Sequence, residues 1–149
     1  GWVEAAPEYI EALASVRFDM GNTPLVQRAL ARYLESGALE PHIDRMRSLY
    51  AQKCDTLVRS LRKHCGPYLR FTVPSGGFFL WVECIGASAL RLTQAAAEEG
   101  LMFPSGAFFF MDGPEADDRH IRLAFSNAPV EELEEVGERM LRACLRVVD

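Results

Sequence analysis

The apolar and polar positions divide the chain into a helical first part and a second part in which strands and helices alternate. Pro7 stands in the first turn of a helix that carries Ile10, Leu13 and Ala14 on one stripe and runs to about Phe18. The residues before it, from Gly1 to Ala6, read as the end of a strand. Asp19-Met20-Gly21-Asn22-Thr23-Pro24 is a loop that ends in a helix start, with Thr23 as N-cap and Pro24 at the first position. Leu25, Val26, Ala29, Leu30, Tyr33 and Leu34 form the stripe of this second helix, and Gly37 ends it. A longer helix begins near Pro41. Its Ile43, Met46, Leu49, Tyr50, Cys54, Leu57 and Leu61 recur at helical spacing until Gly66-Pro67 forces a stop.

The period then shortens. Residues 69–73 and 78–83 read as two strands joined by the turn Pro74-Ser75-Gly76-Gly77, a hairpin. A helix over 88–99 ends at Gly100, and Leu101-Met102-Phe103-Pro104 reads as a short strand. Residues 105–111 are apolar enough for a connecting loop to require cover, whereas 112–118 are acidic, turn-rich and exposed by expectation. In residues 120–126 the alternation is strict. Ile121, Leu123 and Phe125 share one face, and His120, Arg122, Ala124 and Ser126 share the other. The last helix is capped by Asn127 or Ala128, has Pro129 in its first turn, and carries Val130, Leu133, Val136, Met140, Leu141, Cys144 and Val148 as its stripe. The sum is an α+β arrangement: a small, largely antiparallel sheet with helices on one face.

Composition narrows the function classes. The chain has 149 residues, 49% of them apolar, and a net charge of −5, so it has no basic stripe of the kind that binds nucleic acid. Its longest apolar runs are far shorter than a membrane span, and a cytoplasmic protein is the expectation. Cys54, Cys65, Cys84 and Cys144 show no metal-ligand or paired spacing and read as small buried hydrophobes. His42, His64 and His120 read as surface or helix-end residues. Lys53 and Lys63 lie off the apolar stripe of the long helix and read as solvated. Arg122 is the residue of most chemical interest. Its guanidinium is a rigid fork of donors suited to a carboxylate or phosphate, and Ala124 beside it is too small to cover it. The alternative is a solvated arginine on the open face of an antiparallel strand.

Four stretches, in this order and spacing, carry a resemblance: Gly1-Trp2-Val3; Pro74-Ser75-Gly76-Gly77-Phe78-Phe79-Leu80-Trp81; Gly100-Leu101-Met102-Phe103-Pro104 with Phe108-Phe109; and Ile121-Arg122-Leu123-Ala124-Phe125-Ser126. Together the chain resembles the C-terminal part of fold-type I, pyridoxal-phosphate-dependent aminotransferases of class I/II, in the branch of aminoadipate aminotransferases and MocR-type regulators. The resemblance implies a remnant of the large cofactor-binding domain over 1–37, followed by the connecting helix and C-terminal small domain over 38–149. It implies that Arg122 grips the substrate α-carboxylate. Asn22 and Thr23, on a loop that crosses a homodimer interface in related enzymes, are candidates for contacting the cofactor phosphate or substrate; a plain helix cap is the alternative. Where the family commonly has Pro-Gly-Ser, this chain has Pro104-Ser105-Gly106, and no role is carried onto Ser105.

The family's Schiff-base lysine and the arginine that follows it would lie upstream of Gly1, and neither Lys53 nor Lys63 suits that task. The resemblance thus implies a parent that moves an amino group between an amino acid and a 2-oxo acid on pyridoxal 5'-phosphate, with this segment inactive alone. Two other readings remain. One is the effector-sensing domain of a MocR-type transcription regulator; the other is an interaction domain with no small-molecule site.

Overall fold

The computed structural model describes residues 3–18, 21, 23–111 and 117–148. The chain forms two compact units, Gly1–His42 and Ile43–Asp149.

The first unit holds α1, Pro7–Val16, and α2, Pro24–Glu35, each opened by a proline in its first turn. Thr23 stands at the N-cap of α2, but its side chain makes no capping bond. Gly37, at φ 73°, takes the left-handed conformation that stops the chain after α2. Neither helix buries a residue within the described chain. Residues 3–6 form no strand, contrary to the expectation from sequence, and Gly1 and Trp2 lie outside the described residues.

Helix α3, Leu39–Cys65, begins two residues before Pro41, which therefore sits in the first turn, where its missing N–H costs nothing. In the second unit a three-stranded antiparallel sheet runs in the order β1 (Leu69–Phe71), β2 (Phe79–Cys84), β3 (His120–Ala124). Gly77, at φ 92°, makes the turn between β1 and β2 possible. The register sets Leu80 opposite Leu123 and Val82 opposite Ile121. These four side chains are buried with Leu57 and Leu61 of α3, Leu92 and Ala96 of α4 (Ala89–Glu98), and Leu133 and Met140 of α5 (Val130–Val147). The helices therefore line one face of the sheet, as the period-2 pattern requires.

Polar bonds fix how these elements meet. Ser60 Oγ on α3 donates to the Glu134 carbonyl at 2.6 Å and accepts from the Gly137 N–H at 2.9 Å. A Cβ at Gly137 would collide with the Ser60 backbone, so glycine permits the close approach of α3 and α5. Asp118 Oδ1 accepts from Ser88 Oγ and from the Leu90 N–H, tying the start of α4 to the loop before β3. Arg142 and Arg146, near the C-terminal end of α5 where a cation complements the helix dipole, pair across to Glu98 and Glu99 at 2.6 to 2.7 Å. The arginines hold the Glu99 carboxyl below its ordinary value, first through the Arg142 hydrogen bond.

Three local expectations change. Residues 101–104 are not a strand; they run extended beside β3, with one bridge between Ser105 and Ile121 and one bond from the Arg122 N–H to the Pro104 carbonyl. Proline at 104 can accept in a ladder but cannot donate. The apolar stretch 105–111 is only partly covered: Ser105 and Gly106 are buried, but Phe108 and Met111 face solvent. The N-cap of α5 is Pro129 rather than Asn127 or Ala128. Residues 112–116 of the acidic turn lie outside the described residues.

All four cysteines are buried and free. Burial, with smaller contributions from neighbouring groups, pushes the Cys84 thiol up to about 12. The Cys65 thiol is raised by hydrogen bonding to the Cys144 thiol and by burial, and its sulfur lies 3.2 Å from the Gly137 carbonyl, to which it donates. These thiols are packing groups.

Candidate functional site

Arg122 sits at the centre of β3, directly opposite Trp81 of β2, on the sheet face that the helices leave uncovered. Alternation places Phe79 and Trp81 on the same face, because Leu80 and Val82 point into the core. The Arg122 guanidinium lies over the Phe79 ring with its carbon 4.0 Å from the centroid. A second ring meets it: Phe109, from the 3-10 turn Gly106–Phe109, lies 4.1 Å away. The cation thus meets two aromatic rings, contacts that suit the flat guanidinium. Ala124, opposite Phe79, is exposed and leaves that side open.

Arg122 has no acidic partner among the described residues. Its Nε is buried without any hydrogen-bond acceptor. A buried charged donor left unmatched costs free energy, and such groups are ordinarily satisfied. Here the unmatched donor belongs to a fork that also forms bidentate bonds with carboxylates. The sequence alternative of a merely solvated arginine does not describe this geometry.

The same face carries a second layer. His120 stacks on Trp81, with centroids 5.4 Å apart and planes 14° from parallel. Its Nδ1 is 3.0 Å from Asp117. Burial pushes the Asp117 carboxyl up, but bonds from His120 and the Arg119 N–H outweigh that and hold it below its ordinary value. The expectation of a surface histidine is corrected for His120, because register brings it diagonal to an aromatic ring. Phe79, Trp81 and Phe109 enter the sequence reading only as part of the resemblance and His120 only as a surface or helix-end residue, none as a site residue. The alternation of Phe79 and Trp81 with Leu80 and Val82 was a usable signal for two of them.

Lys53 is a further correction. It is buried, and its Nζ donates to the Ser126 carbonyl just beyond β3 at 2.8 Å. The side chain is buried with its head on a backbone acceptor, which a stripe count on the helix alone does not detect. Lys63 is exposed. The described residues offer no lysine placed to bond pyridoxal phosphate covalently: Lys53 is committed to a carbonyl and Lys63 faces solvent. Thr23 remains at the start of α2 in the first unit, and Asn22 lies outside the described residues.

A groove of about 240 Å³ opens along β3, lined by Leu101, Phe103, Leu133, Met140 and Arg122 among others. None of the aromatic rings around the guanidinium lines this groove, which lies toward α5. No group of His, Cys, Asp and Glu able to hold a metal ion occurs among the described residues, and no described helix is long and apolar enough to cross a membrane.

Residues 15–148 match the sequence family described as aspartate amino-transferase. The chain belongs to this family. Among relatives of this aminotransferase-family chain, the 2-aminoadipate transaminase of Thermus thermophilus is 28% identical over 93% of the chain and 35% of the relative. The HTH-type transcriptional regulator YdfD of Bacillus subtilis is 24% identical over 90% of the chain and 28% of the relative. The crystal structure of LysN, the alpha-aminoadipate aminotransferase of Thermus thermophilus, complexed with N-(5'-phosphopyridoxyl)-L-leucine, superposes with a TM-score of 0.78 at 28% identity. That match covers 95% of this chain and 36% of LysN. The aminotransferase-family chain thus spans about a third of the length of the relatives it matches. Its fold is that of the family: helices and a small antiparallel sheet.

Proposed function

We propose that the chain works as part of a pyridoxal-phosphate-dependent aminotransferase that moves an amino group between an amino acid and a 2-oxo acid, and that Arg122 takes the substrate carboxylate. The observation that carries this reading is the unmatched, buried Nε of a guanidinium held between Phe79 and Phe109. Pairing that fork with a carboxylate satisfies the orphan donor and fixes the substrate at one end, so that its reacting bond is presented in a constant direction. Pyridoxal phosphate, when bound, supplies the electron sink. With Lys53 bound to Ser126 and Lys63 exposed, the 149-residue chain by itself would neither hold that cofactor covalently nor transaminate. Residues 1–37 would belong to the cofactor domain and 38–149 to the connecting helix and small domain. Asn22 and Thr23 would approach the neighbouring site of a homodimer, in the cytoplasm.

Arg122→Ala in the intact protein tests the reading. It is expected to lower kcat/KM by about 2–5 kcal/mol of transition-state binding, as when one partner of a buried charged pair is removed. Values of kcat and KM near wild type would sink it. The likeness to a helix-turn-helix regulator supports a second reading, in which the same grip on a carboxylate serves effector sensing. In that case Arg122→Ala abolishes an amino acid's effect on DNA binding by the intact protein, and no transamination is lost.

A further inference from the structure

Phe109 reaches Arg122 from a 3-10 turn of four residues, Gly106–Phe109, too short to hold an aromatic ring in place by its own backbone bonds. Beyond the bridge from Ser105 to Ile121 at its N-cap, the turn is fixed at two further points. At its start, Gly106 lies so near the Asp117–His120 pair that a Cβ there would stand 2.5 Å from Asp117 Oδ2 and 2.9 Å from His120 Cβ. At its end, the Phe109 ring meets Trp81 edge to face, with centroids 5.9 Å apart and planes at 77°. Trp81 is stacked on His120, and His120 is bonded to Asp117. Both further points therefore lead back to the same two residues. Glu83, opposite His120 in the register, is drawn toward Arg70 at 3.6 Å and leaves the imidazole to Asp117.

We propose that Trp81, His120 and Asp117 are positioning residues for Arg122: they hold Phe109 against the guanidinium and so keep its fork aimed at an incoming carboxylate. The proposal rests on the reading of Arg122 as the carboxylate grip. The physical basis is preorganisation. An arginine on an open sheet face has many rotamers to lose on binding, and a cage that has already removed them leaves less to lose. Phe79, on a paired strand, is the fixed wall of that cage; Phe109, on a short turn, is the wall that needs support.

The Arg122 Nε–Hε pair has its own NMR cross-peak, and ring centroids 4.0 and 4.1 Å from Cζ are expected to shift it upfield. Trp81→Leu is expected to move that peak toward the ordinary arginine position. It should also weaken binding of 3-phenylpropionate, an unreactive carboxylate probe, about tenfold, in line with the cost of a small misplacement. Trp81→Phe restores an aromatic edge and should recover most of both effects. Should Trp81→Leu fail to fold, His120→Ala supplies the same reading of the peak. A folded variant whose peak stays at the wild-type position overturns the positioning role. A wild-type peak unmoved by 3-phenylpropionate overturns the carboxylate reading instead, and the free-protein peak of the variants still decides the positioning role.

Discussion

The two faces of the small sheet are built from the same strands and yet do opposite work. On the inner face Leu80, Val82, Ile121 and Leu123 are buried against three helices. On the outer face Phe79 and Trp81 remain about 40% exposed, at 41% and 39%, around a cation with an unmatched donor. The inner face carries stability through area removed from water. The outer face leaves large aromatic rings against one guanidinium. On the proposed reading of Arg122, a residue's contribution to folding and its contribution to chemistry are separated by one step along a strand.

Substitution of adjacent residues gives the largest break in that comparison. Ile121→Ala should lower unfolding stability by about 2–5 kcal/mol, the range for a large-to-small change in a closed core. Arg122→Ala, its neighbour, should change stability by no more than about 1 kcal/mol, since it loses cation–π contact but also removes an unmatched donor. Urea unfolding of both variants checks the contrast, and equal losses would show that the faces are not separate.

Lys53 sharpens the boundary between the faces. Lys53→Met keeps the stem and removes the bond to the Ser126 carbonyl, with an expected loss of about 1 kcal/mol in the same assay. No loss would mean that the bond serves only to direct the end of β3.

Acid gives the smallest effect. Asp117 is held below its ordinary value, so its stabilisation is complete above the ordinary carboxylate range and is lost as pH falls through the lowered value. Glu99 shifts in the same direction and contributes in the same window. Thermal melts from neutral pH downward should show Tm falling in that window, and less steeply in Asp117→Asn. An identical slope in that variant would assign the acid sensitivity elsewhere.

Much of this was legible from spacing alone. The strict alternation of residues 120–126 put Ile121, Leu123 and Phe125 inside and Arg122 outside, and all three apolar side chains are buried. Period and punctuation also located α2, α4 and the hairpin to within a residue or two. What escaped depends on contacts between segments far apart in the chain. Phe109 covers Arg122 because a turn folds back over the sheet, and Trp81 meets His120 because of a register that neither strand specifies alone. Lys53 escaped for a different reason: a long side chain can bury its stem from an off-stripe position and still find a carbonyl.

Trp81 has one more consequence. The chain has two tryptophans, and this one is stacked on an imidazole and edge-on to the ring that covers Arg122. In a Trp2→Phe background its emission becomes an intrinsic optical gauge of the outer face. A change in the tilt of Phe109 would then register as light, with no label attached.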